Sequence, residues 1–221
     1  MSNHDAKTFF TVVRHGETQA NIDGRLQGQT NTHLDELGIA QVDTAAEFLQ
    51  DEPFDICYSS DLWRAMETAE HVLKYHPQTR LVPSPELREW HLGDWEGAKQ
   101  VEIKAKFPEL LRAFIYEREN VCPPGGESRE QFQERIWNFM NILAERHAGQ
   151  HVLLVTHGGV MQRMLLLAIG GFASKTNRLP LSSNASVSRF TCYPATHEWQ
   201  LVSWNCDGHL KKLPLHETLI Y

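Results

Sequence analysis

Four cysteines in 221 residues, none in a C-x-x-C pair, exclude a zinc ribbon and a dithiol redox motif. Cys57, Cys122, Cys192 and Cys206 are widely spaced and no secretion signal precedes them, so they read as reduced thiols. The 12 histidines include no H-E-x-x-H or similar pair that would set two imidazoles on one helix face, so neither a metal nor a cofactor is expected. Positive charge is scarce: 21 Lys and Arg against 28 Asp and Glu give a net charge of −7. The longest basic run is the pair Lys211-Lys212, which leaves no nucleic-acid footprint. The first apolar stretch stops at Arg14, too early for a signal-peptide core. None of the apolar runs approaches the roughly 20 residues of a membrane span. A cytoplasmic chain with no membrane partner is expected, as monomer or homodimer. A hydrophobic share of 41% is enough for a large core and argues against disorder.

What is present alternates. Short apolar runs of strand length are separated by segments of helical period, the pattern of a mainly parallel sheet covered by helices. Strands are expected at Phe9 to Val13, Asp55 to Tyr58, Arg80 to Val82 and Val152 to Val155, with two edge strands, Val187 to Tyr193 and Trp199 to Trp204. Helices are expected at Glu36 to Leu49 with Asp35 as N-cap, at Leu62 to His76, and after the Ser128/Gln131 capping box. Gly158-Gly159 is read as a tight turn into a helix from Val160 to Ala168. The expected organisation is one domain, residues 1–221, with a helical insertion at about 98–125 that is broken at Pro108.

Two of these strands end alike. Phe9 to Val13 runs into Arg14-His15-Gly16, and Val152 to Val155 runs into Thr156-His157-Gly158. In an open parallel sheet, residues just past the strands' carboxyl ends share one edge, where ligands bind. Ser59, Ser60 and Arg64 should arrive there from the second strand, and Glu89 from beyond the third. Two imidazoles, two guanidinium groups and a carboxyl group suit phosphoryl transfer, which is mainly positioning and charge neutralisation. Arg14 and Arg64 can bind phosphate oxygens through paired hydrogen bonds. Their charge keeps His15 unprotonated, ready to attack phosphorus in line. A charged His157 would donate to the same phosphate, Ser59 is a candidate phosphate contact, and Glu89 is the candidate general acid for the leaving alkoxide. Both imidazoles should open onto one solvent-reached nest. Arg64 could instead pair with Glu67 one helical turn on, and Ser59 could cap a helix.

The motifs Arg14-His15-Gly16-Glu17-Thr18 with Asn21, Arg25-Leu26-Gln27-Gly28, Ser59-Ser60-Asp61-Leu62-Trp63-Arg64, Leu87-Arg88-Glu89, Gly125-Gly126-Glu127-Ser128 and Thr156-His157-Gly158-Gly159 stand in this order along the chain. Together they resemble the histidine phosphatase superfamily, also called phosphoglycerate mutase-like. The resemblance implies a three-layer α/β/α sandwich with a mainly parallel central sheet. It also implies His15 as the phosphorylated residue, Arg14, Arg64 and His157 as the rest of a phosphate pocket, and Glu89 as proton donor. Asn21 and Gln27 match positions that contact phosphate or substrate in similar proteins, and Gly16 and Gly158 would supply close backbone approach. The expected activity is metal-independent hydrolysis of a small phosphorylated metabolite. Two alternatives stand beside it, a cofactor-dependent phosphoglycerate mutase and a non-catalytic phosphate-binding protein. The short middle segment has no adjacent Arg-Arg pair and ends in Gly-Gly-Glu-Ser, which looks more like the phosphatase branch. Specificity is expected from Trp90 to Gly126, with Trp90, His91 and His33 as possible pocket walls.

Overall fold

A computed structural model describes residues 6–117, 119–170 and 179–214. Six strands form one sheet: β1 (Thr8–Arg14), β2 (Ile56–Ser59), β3 (Arg80–Pro83), β4 (His151–Thr156), β5 (Val187–Tyr193) and β6 (Glu198–Cys206). Their order is β3-β2-β4-β1-β5-β6. The first four are parallel to one another, and β5 and β6 add an antiparallel pair on the β1 side. Helices α1 (Gln19–Ile22), α2 (Glu36–Leu49), α3 (Trp63–Leu73), α4 (Gln100–Lys106), α5 (Pro108–Ile115), α6 (Arg129–Arg146) and α7 (Gly158–Ala168) complete the elements used below.

The strand sequences explain the layering. Side chains alternate across a sheet, so a strand covered on both faces must be apolar at successive positions. Phe10 and Val12 of β1, with Val152 and Leu154 of β4, pack on one face against Phe132, Ile136 and Met140 of α6 and Met161 and Met164 of α7. Val13, Leu153 and Val155 face the other way, onto Ala46 and Leu49 of α2 and Ala65, Ala69 and Val72 of α3. Two helical layers enclose one sheet, as expected. The middle segment contributes Ile103, Leu111 and Phe114 to the larger of these cores, together with Trp90 and Trp95.

Local signals behave as their chemistry dictates. The Asp35 carboxylate accepts from the Gly38 N–H at 2.7 Å and starts α2. Ser128 and Gln131 cap α6 reciprocally, and Pro108 stands at the first turn of α5 rather than in a helix interior. One boundary is corrected: Gly158 and Gly159 lie inside the first turn of α7 and do not form a turn before it. All four cysteines are free thiols. Among the described residues, no helix is long and apolar enough to cross a membrane.

Candidate active site

The parallel register delivers the site. Arg14 pairs with Thr156 and Ser59 with Val155, so β1, β2 and β4 end level, and His15, Ser60 and His157 leave the sheet together. The His15 N–H bonds the Thr156 carbonyl and the Ser60 N–H bonds the Val155 carbonyl, each at 2.9 Å. The rings of His15 and His157 lie 5.1 Å apart between centroids, tilted by 58°. Arg14, His15, Asn21, Gln27, Arg64, Glu89, Gly158 and Gly159 share the wall of one cavity.

His15 Nδ1 lies 2.7 Å from the Gly16 carbonyl oxygen, an acceptor only, so Nδ1 carries the proton and Nε2 keeps the lone pair. Its carbonyl is gripped by the Ala185 N–H at 3.2 Å and Asn184 Nδ2 at 3.1 Å. Burial, then Arg64 and Arg14, hold its pKa well below the ordinary 6.5. The expectation of a neutral ring here is met by a stated cause.

His157 departs from expectation. The ring is wholly buried, and burial, followed by Arg64, His15, Arg14 and Arg135, lowers its pKa well below 6.5. The ring expected to open to solvent is therefore a buried, neutral one packed beside His15. The buried-neutral state of both rings sets a sign for stability. Below about pH 6.5 the unfolded chain takes up protons that the native chain refuses, so stability falls as pH drops through that value. Denaturation midpoints should decline from pH 7 to pH 5, and His15→Gln should flatten that decline.

Arg64 does not pair with Glu67. It donates Nη1 to the Thr30 carbonyl (2.7 Å) and Nη2 to the Gly28 carbonyl (2.8 Å), while Glu67 accepts from the Leu34 N–H and meets His33. Two fixed carbonyls aim the Arg64 guanidinium. Arg14 donates Nη1 to the Ser182 carbonyl. Glu89 is buried, its Oε1 accepting from the Trp90 N–H (2.8 Å) and its Oε2 from the Gly159 N–H (2.9 Å) in the first turn of α7. The positive end of α7 thus supports the carboxylate. The segment that carries Glu89 is clamped by Arg135 of α6, which donates to the carbonyls of Glu86 (2.7 Å), Arg88 (2.9 Å) and Glu89 (3.2 Å). Arg135 is itself paired with Glu127 at 2.6 Å, and Glu127 Oε1 also accepts from the His91 N–H. This gives the Gly-Gly-Glu-Ser stretch a structural task.

Several expected contacts are corrected. Ser59 does not reach the cavity, and its hydroxyl donates to the Ser60 carbonyl at 2.9 Å. Gly16 serves packing against α2: a Cβ there would sit 2.6 Å from the Gly38 carbonyl oxygen. At Gly158 an added Cβ would make ordinary 3.5 Å contact with Arg14, so space does not demand glycine there. Gly159 is the demanding position, where a Cβ would come within 2.2 Å of Glu89 Oε1. Gly159→Ala should displace that carboxylate and lower kcat by on the order of 100-fold, measured against an unchanged melting profile. Asn21 Oδ1 accepts from the Thr18 N–H, Gln27 Oε1 accepts from the Thr32 hydroxyl, and the one Thr18 hydroxyl proton lies within reach of both side-chain oxygens, 3.0 Å from Asn21 Oδ1 and 3.1 Å from Gln27 Oε1. Trp90 is core, between Phe114 and Phe132, and His33 stacks on Trp63. Among the described residues, none from 90 to 126 lines the cavity; its outer wall comes from Ala20, Arg25, Leu26, Gln162, Leu181 and Ser182. No group of three or more metal-ligating side chains occurs among the described residues.

Residues 10–207 match the model of the histidine phosphatase superfamily (branch 1), and the chain belongs to that family. It is 36% identical over 208 residues to a metal-independent phosphoserine phosphatase of Arabidopsis thaliana, covering 93% of this chain and 84% of that one. It is 35% identical over 159 residues to the adenosylcobalamin/alpha-ribazole phosphatase of Escherichia coli, covering 72% and 78%. A solved mycobacterial glucosyl-3-phosphoglycerate phosphatase superposes with a TM-score of 0.78 at 31% identity, over 90% of this chain and 99% of that one.

Proposed function

We propose that this protein is a cytoplasmic, metal-independent phosphomonoesterase that takes a small phosphorylated metabolite through a phosphohistidine on His15. Residues 1–221 are read as one histidine phosphatase domain, active as monomer or homodimer. The observation that carries the reading is the His15 Nδ1 contact with the Gly16 carbonyl, which leaves Nε2 as the nucleophile beside two guanidinium groups. Nε2 attacks phosphorus, the N–P bond forms as the P–O ester bond breaks, and Glu89 delivers a proton to the departing oxygen. Arg14 and Arg64 neutralise the equatorial oxygens. Glu89 then takes a proton from the water that cleaves the N–P bond, which releases phosphate and restores the free ring.

Three relatives named for three different substrates support phosphate release and leave the substrate of this chain to the cavity's outer wall. The test is a panel of phosphorylated metabolites with EDTA present, scored for free phosphate and for isomerised product. Phosphate release unchanged by EDTA, with acid-labile, base-stable label on His15 after rapid quench, is the expected result. Isomerised product without net phosphate release would replace hydrolase by mutase, and loss of activity restored by a divalent ion would remove metal independence.

A further inference from the structure

Ser60 is fully buried, with its N–H on the Val155 carbonyl and its own carbonyl accepting from the Ser59 hydroxyl. Among the described residues, its hydroxyl has two partners, the Leu62 N–H at 3.3 Å and His157 Nε2 at 2.8 Å. A backbone N–H only donates, so Ser60 Oγ accepts from Leu62. The contact with His157 then admits two assignments. If the Ser60 hydroxyl donates to Nε2, the ring carries its proton on Nδ1, and within this pair only that Nδ1–H is left without a partner among the described residues. If Nε2–H donates to Ser60, the hydroxyl proton and the Nδ1 lone pair are both stranded. The first assignment strands one buried group and the second strands two, so the first prevails. The unpaired Nδ1–H belongs to a ring 5.1 Å from that of His15, where the phosphoryl group would be carried.

From this bookkeeping we infer that Ser60 is a positioning residue which fixes His157 as the neutral Nδ1–H tautomer, leaving that N–H to make the phosphate contact that the family resemblance implies for His157. The inference rests on the phosphohistidine reading for its second half and on hydrogen bonding alone for its first. A buried donor with no protein partner among the described residues can give its hydrogen bond to a phosphoryl oxygen. Such a contact favours the reacting state over the resting one.

The test is long-range proton–nitrogen correlation on the full chain labelled with nitrogen-15 histidine, the His157 signals being those that vanish in His157→Gln. The expected spectrum has His157 Nδ1 protonated and Nε2 proton-free. In Ser60→Ala that pattern should give way to a mixture of tautomers or to Nε2–H. In parallel, kcat for p-nitrophenyl phosphate should fall on the order of 100-fold, as for loss of one donor to a developing anion, with KM little changed. A wild-type spectrum showing Nε2–H overturns the inference whatever the variant does. So does a Ser60→Ala protein that keeps wild-type kcat, or one that loses kcat while keeping the Nδ1–H pattern. An Nδ1–H wild-type protein that never forms phosphohistidine would instead sink the proposed function and leave the Ser60 assignment standing.

Discussion

Replacing His15 with alanine is expected to lower kcat by on the order of 10⁵- to 10⁶-fold, the scale seen when a nucleophile is removed. That corresponds to about 7–8 kcal/mol of barrier at 1.36 kcal/mol per tenfold. The loss should be confined to chemistry. Arg64 is aimed by the Gly28 and Thr30 carbonyls and Arg14 by the Ser182 carbonyl, and none of these contacts involves the His15 ring. Orthovanadate or inorganic phosphate should therefore still bind the variant within a few-fold of wild type by calorimetry. Normal hydrolysis by His15→Ala, with contaminating phosphatase excluded, would remove the covalent mechanism.

Glu89→Gln should separate substrates by leaving group. A poor leaving group such as an alkoxide needs its proton in the transition state, so kcat for alkyl phosphates should fall by about 10²- to 10⁴-fold. For p-nitrophenyl phosphate, whose phenolate departs unaided, formation of the phosphoenzyme should be nearly spared, visible as a retained burst in stopped flow. Both carboxylate oxygens accept backbone N–H groups, so the amide also sets an NH₂ against either the Trp90 or the Gly159 N–H. A uniform loss across both substrate types would mean that Glu89 holds the loop and transfers no proton.

The fold was legible because periodicity and apolar continuity are local properties. β1, β4 and α2 need no tertiary knowledge, and the Asp35 and Ser128 caps are written in side chains that can only bond nearby N–H groups. The candidate site was legible to the extent that strand ends announce it, which brought Arg14, His15, Arg64, Glu89 and His157 together. What sequence could not supply was the direction in which a side chain turns. Ser59 and Ser60 are adjacent and chemically identical, yet the pleat sends one hydroxyl to a neighbouring carbonyl and the other to His157. Arg135 carries no local signal of its role, since its carbonyl partners lie 46 to 49 residues earlier in the chain. The neutral state of His157 likewise depends first on burial and then on Arg64, His15, Arg14 and Arg135, which other elements bring to it.

The cavity's outer wall is built from three short stretches, around α1, on one face of α7 and just before β5, and none of them supplies the nucleophile or the proton donor. Under the proposed mechanism, His15 and Glu89 lie outside the stretches that form this outer wall. A directed-evolution library at Ala20, Arg25, Gln162 and Leu181 could therefore exchange one clientele of phosphate esters for another while the reaction machinery stays as it is.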